Sequence, residues 1–419
     1  MPFPRLNLSR LSLPHRIAIG LVIGTLLGLL VPNATWIGIL GKLFVGGLKA
    51  IAPVLVFALV ISSLSRSSGG FDRRFGFVIF EYLLSTFLAA LIALVACFLF
   101  PVSLYLEENS AVSESAPGGV WEVMEGQLLG MVSNPMQAIA DANYLSILFW
   151  ALIIGILAKK FASDQTKKLL GDLSVIITQV VTWIINLAPF GILGLVFSSV
   201  STSGMSIFAT YGKLLLVLVG CMLVTSLILN PLLVFLILRR NPYPLVFRCI
   251  RESAITAFFT RSSAANIPVN MQLCERLGLD KDFYSVSIPL GATINMDGAA
   301  ITITVMTLAA AHTTGVTMTP VQALLLTVLG TIAACGASGV AGGSLLLIPM
   351  ACSLFGISQD VAMQVVGVGF IIGVIQDSVE TALNSSGDAL FTATAEYAHW
   401  RKIGKSFPKF LGGTTETQL

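Results

Sequence analysis

The chain has 419 residues, of which 55% are hydrophobic and 11% charged, and its 24 Lys+Arg against 21 Asp+Glu give a formal net charge of +3. An ordinary soluble domain carries roughly 25% charged residues, so a soluble globule is excluded. High apolar content with a small net charge also excludes disorder. A mean hydropathy of +0.89 completes the picture of an all-α polytopic membrane protein embedded in the lipid bilayer.

A spanning helix needs about 20 largely apolar residues. Candidates run Ile17–Val31, Ile39–Ser63, Phe77–Val102, Tyr144–Ala158, Val175–Val200 and Leu214–Leu238. The first and fourth are short and must extend into polar flanks. The N-terminal run lacks an A-x-A-like cleavage site and is followed by more spans, so it reads as a helix and not a signal peptide. Arg5, Arg10 and Arg16 precede the first span, and Arg66, Arg73 and Arg74 separate the second from the third. Lys159, Lys160, Lys167 and Lys168 follow the fourth, Arg239, Arg240 and Arg248 the sixth, and Arg401, Lys402, Lys405 and Lys409 close the chain. The loop 103–143 holds no Lys or Arg but has Glu107, Glu108, Glu114, Glu122, Glu125 and Asp141. The positive-inside rule then places both termini in the cytoplasm and requires an even number of crossings.

The last 170 residues depart from simple hydropathy. Ser253–Met271 is apolar at both ends but breaks at Thr260-Arg261-Ser262-Ser263, and Gln322–Phe355 breaks between Gly336 and Ser344. Such backbone is tolerated at membrane depth only where protein or a watery cavity surrounds it. Both stretches are therefore expected to be re-entrant helical hairpins, each followed by a long span, Phe283–Ala311 and Val361–Ala395. The expectation is eight transmembrane helices plus two hairpins, arranged as an inverted repeat. Interrupted segments in corresponding positions point to a transporter's binding site.

From Phe283 to Trp400 there is no Lys or Arg, yet Asp297, Asp377, Glu380 and Asp388 lie inside spans. The cation nearest the expected site is Arg261 at the first hairpin tip. Each intramembrane carboxylate costs about 2.5–3.5 kcal/mol on the insertion scale unless compensated. Asp377, Glu380, Thr381, Asn384 and Asp388 fall at i, i+3, i+4, i+7 and i+11, along one helical face. Polar groups of this kind also serve as helix glue or pair with an Arg, but one Arg cannot neutralise four acids. Thr293 to Gly298 interrupts another span with oxygen donors suited to a hard cation. The helix N-terminus at Ser262-Ser263 offers N–H groups to a carboxylate. Together these parts imply a pocket for a zwitterion and metal cations. The six Cys are scattered without a C-x-x-C pair, the three His are far apart, and no phosphate-loop motif occurs, which argues against a zinc site or a resident ATPase.

The tract Thr260-Arg-Ser-Ser-Ala-Ala-Asn-Ile-Pro-Val269 resembles the serine-rich hairpin tip of the glutamate-transporter superfamily, the dicarboxylate/amino acid:cation symporters. Asn295-Met-Asp-Gly298 matches that family's NMDG signature, and Asn384-Ser-Ser-Gly-Asp388 its N-x-x-G-D motif. Ser133-Asn-Pro135 and Ala188-Pro-Phe-Gly191 extend the likeness over nearly the whole chain. Within the family the chain is most similar to the bacterial sodium-coupled serine/threonine branch. The resemblance implies a homotrimer in the bacterial cytoplasmic (inner) membrane that takes up serine and threonine with Na+. It implies a scaffold of spans 1, 2, 4 and 5. A transport domain would hold spans 3 and 6, hairpins at about 250–280 and 320–357, and spans at about 283–312 and 361–396. That domain would slide as an elevator.

Carried over by position, Gly291, Asn295, Asn384 and Asp388 would form one sodium site. Thr293 with the backbone of Ala334, Cys335 and Ala337 would form a second, and Tyr82, Ser85, Thr86, Asn295 and Asp297 a third. Ser263 and Asn384 would hold the substrate carboxylate and Asp377 its ammonium, with Arg261, Val340 and Thr381 lining the pocket. The second tip departs from the family at Ala337 and Ala341, where Thr and Pro are common. Relatives that carry acidic amino acids have Arg where this chain has Glu380. A carboxylate there repels an acidic side chain, and it would either accept a bond from a substrate hydroxyl or pair with a donor from the protein. Other readings are a Na+- or H+-coupled symporter of other small neutral amino acids or of dicarboxylates, a channel, and a membrane enzyme. An enzyme would need a nucleophile–base pair or metal motif, and neither is present in the sequence.

Overall fold

The computed structural model describes residues 13–66, 73–106, 129, 132–141, 143–204, 206–335 and 342–414. Val340, Ala337, Ala341, Arg5, Arg10 and most of the acidic loop lie outside them. Regular structure among the described residues is helical. The first helices are α1 (Leu13–Leu30), α2 (Gly38–Arg66), α3 (Arg73–Leu99), α4 (Pro135–Ala140), α5 (Tyr144–Phe161), α6 (Asp164–Asn186) and α7 (Ala188–Ser203). The two short apolar runs do extend into their flanks, to Leu13 at one end and Phe161 at the other.

The fifth run is a correction. Val175–Val200 is not one helix: α6 ends at Asn186 and α7 begins at Ala188 with Pro189 in its first turn. Proline lacks an N–H and disfavours helical backbone before it, so the apolar run continues while the helix does not. The two pieces then choose different neighbours. α7 lies along both α1 and α2, whereas α6 packs chiefly on α2. Gly24 explains the close approach of α1, since a Cβ there would lie 2.5 Å from the Leu193 carbonyl oxygen. The outward side of these helices carries exposed apolar groups, among them Val22, Leu26, Leu43, Val175, Ile176 and Trp183.

The remaining helices are α8 (Ser206–Val224), continuing through a π-helical turn at Thr225–Leu229 into α9 (Asn230–Leu238), and α10 (Tyr243–Cys249), continuing through a second π turn at Ile250–Ala254 into α11 (Ile255–Thr260). There follow α12 (Ser263–Arg276), α13 (Lys281–Ile294), α14 (Asp297–Thr313), α15 (Pro320–Ala334), a 3₁₀ turn at Gly343–Leu347, α16 (Ile348–Ser353) and α17 (Gln359–Lys402). The stretches 74–99, 164–186, 208–238, 281–313 and 359–402 are long and apolar enough to cross a membrane.

Packing sorts the helices into two groups. α1, α2, α5, α6 and α7 pack on one another, while α3 and everything from α8 onward gathers around α14 and α17. α14 is buried at every position from Asp297 to Ala311. The groups meet across apolar surface, with Phe44 of α2 edge-on to Phe370 of α17 at 5.1 Å. At one end of the second group Arg74 binds Asp280 at 2.8 Å and Glu396 at 2.9 Å, which ties the start of α3 to the end of α17.

Candidate functional site

The first break falls where the sequence places it. Arg261 ends α11 in left-handed backbone (φ 52°), and Ser262 restarts the helix as an N-cap whose hydroxyl accepts from the Ala265 N–H. The cap satisfies one N–H and leaves others at the start of α12 for a ligand. Asn266 and Asn270 fix this arm to α17, donating from Nδ2 to Ser385 Oγ at 2.7 Å and to the Ser385 carbonyl at 2.9 Å.

The Arg261 side chain turns inward. Its Nε and Nη2 each lie 2.7 Å from Asp377 Oδ2, and the Gly342 N–H donates to Asp377 Oδ1 at 3.3 Å. Asp377 therefore joins the break after α11 to the start of the 3₁₀ turn at Gly343–Leu347. Thr381, one turn on, is buried and donates to the Asp377 carbonyl.

Glu380 does not stand open to receive a hydroxyl. Its Oε2 accepts from Thr302 Oγ1 at 2.7 Å, from Ser344 Oγ at 3.0 Å and from Gln376 Nε2. It links α14, the 3₁₀ turn at Gly343–Leu347 and α17. The alternative of a protein donor is the one the structure realises.

The interruption within Thr293–Gly298 is the pair Asn295-Met296 between α13 and α14, where the backbone leaves helical geometry for two residues. Asn295 donates from Nδ2 to the Asn384 carbonyl and to Asp388 Oδ1, both at 3.0 Å. Gly387 makes this possible, because a Cβ there would sit 2.6 Å from Asn295 Nδ2. Asn384 Oδ1 accepts from the Gly298 N–H at 2.7 Å, and its Nδ2 reaches only the sulfur of Met296 at 3.4 Å, a weak acceptor. The buried oxygens Asn295 Oδ1 and Asp388 Oδ2 have no hydrogen-bond partner among the described residues. A buried unpaired oxygen is costly, and a hard cation satisfies it. The donor set, carboxylate with amide and hydroxyl oxygens, fits Na+.

Beside this pair, Asp297 accepts from Ser85 Oγ at 2.6 Å, Thr86 Oγ1 at 3.2 Å and Asn230 Nδ2 at 3.1 Å. Tyr82, expected with this third site, is directed elsewhere. Its hydroxyl meets Thr392 Oγ1 at 2.9 Å and the carbonyls of Ser287 and Asp388, although Tyr82 lies one turn from Ser85 and Thr86 on the same side of α3. A Cβ on Gly291 would touch both Tyr82 and Asp388, so Tyr82 belongs to the first cluster by position. Thr293 donates to the Leu290 carbonyl, and Cys335 Sγ reaches the Ile294 carbonyl at 3.4 Å with Ala334 buried beside it. That brings together the described part of the second expected sodium site.

Sequence reasoning misses Asn230, Thr302, Ser344, Gln376, Thr392 and Ser287. Asn230 leaves one trace, a lone amide followed by Pro231 inside an apolar run. Glu81 is buried, and neither carboxylate oxygen has a hydrogen-bond partner among the described residues.

The profile of the sodium:dicarboxylate symporter family matches residues 13–397. The chain belongs to this family. It is 60% identical over 400 residues to the Serine/threonine transporter SstT of Bifidobacterium adolescentis, covering 96% of this chain and 93% of that protein. It is 59% identical over 394 residues to the Serine/threonine transporter SstT of Streptococcus thermophilus, covering 94% of this chain and 98% of that protein. As a symporter-family member the chain is a membrane transporter and not an enzyme.

Proposed function

We propose that the chain is a secondary active transporter that couples Na+ entry to uptake of serine and threonine across the bacterial cytoplasmic membrane. The observation that carries this reading is the cluster at Asn295, Asp297 and Asp388. Two carboxylates sit fully buried, held by neutral donors among the described residues, and two oxygens are left unpaired. A downhill cation stabilises such a cluster, and a zwitterion nearby can share the gain. Strong similarity to proteins named serine/threonine transporters supports the choice of substrate.

In this reading the amino-acid carboxylate takes the open N–H groups at Ser263 and displaces the Met296 sulfur from Asn384. Its ammonium takes a share of Asp377 from Arg261. Sodium ions occupy the Asn295–Asp388 cluster with Gly291 and Asn384, the Asp297 seat with Ser85 and Thr86, and the Thr293–Cys335 seat. Glu380, locked by three donors, sets negative potential where an acidic side chain would lie. Asp377 and Glu380 each also bind the second hairpin, so hairpin closure and ligand binding share the same groups.

The two packing groups support a division into a scaffold (spans 1, 2, 4 and 5) and a moving transport domain. The apolar contact of Phe44 with Phe370 suits sliding, since no directional bond ties those two side chains. We extend the reading to a homotrimer working as an elevator, with both termini cytoplasmic. Competition of unlabelled amino acids against sodium-driven serine uptake tests the substrate class. Serine and threonine should compete well and aspartate poorly; efficient inhibition by aspartate would contradict the role of Glu380.

A further inference from the structure

We infer that the sixth span contributes Asn230 to the cation seat at Asp297, as an amide that bonds Asp297 when the seat is empty and turns its oxygen to the ion when it is filled. The inference rests on the sodium-coupled reading above and adds a residue which the family likeness does not supply. Three observations carry it.

The first is placement. Every other residue of α9, from Pro231 to Leu238, is apolar. A buried amide in such a helix costs free energy unless both ends are bonded. Asn230 is 2% exposed, and both ends are used within the seat. Oδ1 accepts from Ser85 Oγ at 3.2 Å, and Nδ2 donates to Asp297 Oδ2 at 3.1 Å.

The second is the backbone. The π-helical turn Thr225–Leu229 ends at the residue before Asn230. A π turn adds one residue to the helix and rotates everything after it by about 100°. Without that insertion Asn230 would leave the direction of α3 and Asp297. The irregularity thus places the amide on the seat.

The third is chemistry. The Ser85 hydroxyl has one proton and two acceptors within reach, Asn230 Oδ1 and Asp297 Oδ2 at 2.6 Å. Asp297 Oδ2 in turn receives both Ser85 and Asn230 Nδ2. A cation entering here replaces the donors. Hydroxyls rotate to present lone pairs, and a half-turn of the Asn230 amide exchanges Nδ2 for Oδ1, giving one more oxygen ligand. No charge needs to move, and the same side chain serves the empty and filled seats.

The test uses the full chain purified in detergent, without substrate, and follows melting temperature as NaCl replaces choline chloride at constant ionic strength. Wild-type protein should melt at higher temperature as Na+ rises. Asn230→Leu should raise the half-saturating Na+ by about tenfold or more, the loss expected for a hydrogen-bonding partner of a charged site. Asn230→Asp, which sets a second carboxylate beside Asp297, should melt lower without Na+ and rise further with it. Both variants should change the ratio of Na+ to Li+ response, which a merely structural amide would not. An unchanged half-saturating Na+ in Asn230→Leu, with melting lowered equally at every concentration, would overturn the inference. Asn230→Ser carries the same test should the Leu variant not fold. A wild-type protein that responds equally to Na+ and choline would instead remove the sodium reading on which the inference rests.

Discussion

In the proposed reading, Asp377 serves both substrate binding and closure of the second hairpin. Its carboxylate meets Arg261 at the end of α11 and the Gly342 N–H before the 3₁₀ turn at Gly343–Leu347. Asp377→Asn keeps the shape and removes the charge that a substrate ammonium needs. A charge-assisted bond of this kind contributes about 2–3 kcal/mol, so serine affinity should fall about 100-fold. The Na+-dependent rise in melting temperature should survive, because the cation clusters do not use Asp377. Isothermal titration with serine in saturating Na+ reads the first effect and the melting series the second. Glu380→Gln removes the negative potential and keeps a side chain of similar shape. Aspartate should then inhibit serine uptake more strongly than it does in the wild type, and a competition curve measures the change.

The residues that recur in local motifs were legible from the chain: Arg261, Asn295, Asp297, Asn384 and Asp388 each sit in a short string of unusual composition for a span. Asn230 and Ser344 were not, because their bonds join segments 67 and 36 residues apart with no pattern that links them. The direction of the Tyr82 hydroxyl was not legible either, because it is set by Ser287, Asp388 and Thr392, more than 200 residues along the chain.

At the scale of elements, polar breaks within apolar runs located the Arg261-Ser262 break and the Asn295-Met296 interruption, while residues 336–341 of the third break lie outside the described residues. Hydropathy alone failed at Val175–Val200, where Pro189 divides a run that remains apolar throughout. The π turn before Asn230 has no sequence signature, since Thr225–Leu229 reads as ordinary helix. α1 and α7 make their own prediction. Gly24 has no room for a side chain against Leu193, and overpacking a tight contact costs about 1–3 kcal/mol. Gly24→Leu should therefore lower the melting temperature of the purified protein at every Na+ concentration while leaving the half-saturating Na+ unchanged. That outcome would separate the packing of the first group from the ion chemistry of the second.

For the whole molecule, two features of the charge distribution stand out. Basic residues gather at segment ends, as in the Arg74 network that fastens α3 to α17. Deeper in the second group, Glu81, Asp297, Glu380 and Asp388 are buried without a cation partner among the described residues. Carrying such a cluster through a membrane is unfavourable unless ions travel with it, and this links the packing of α3, α14 and α17 to coupled transport. The direct measurement is uptake of radiolabelled serine into proteoliposomes holding the purified chain, with an inward Na+ gradient compared with an equal K+ gradient. Concentrative uptake with Na+ that collapses with K+ is the result predicted. Equal uptake under both gradients would contradict the account.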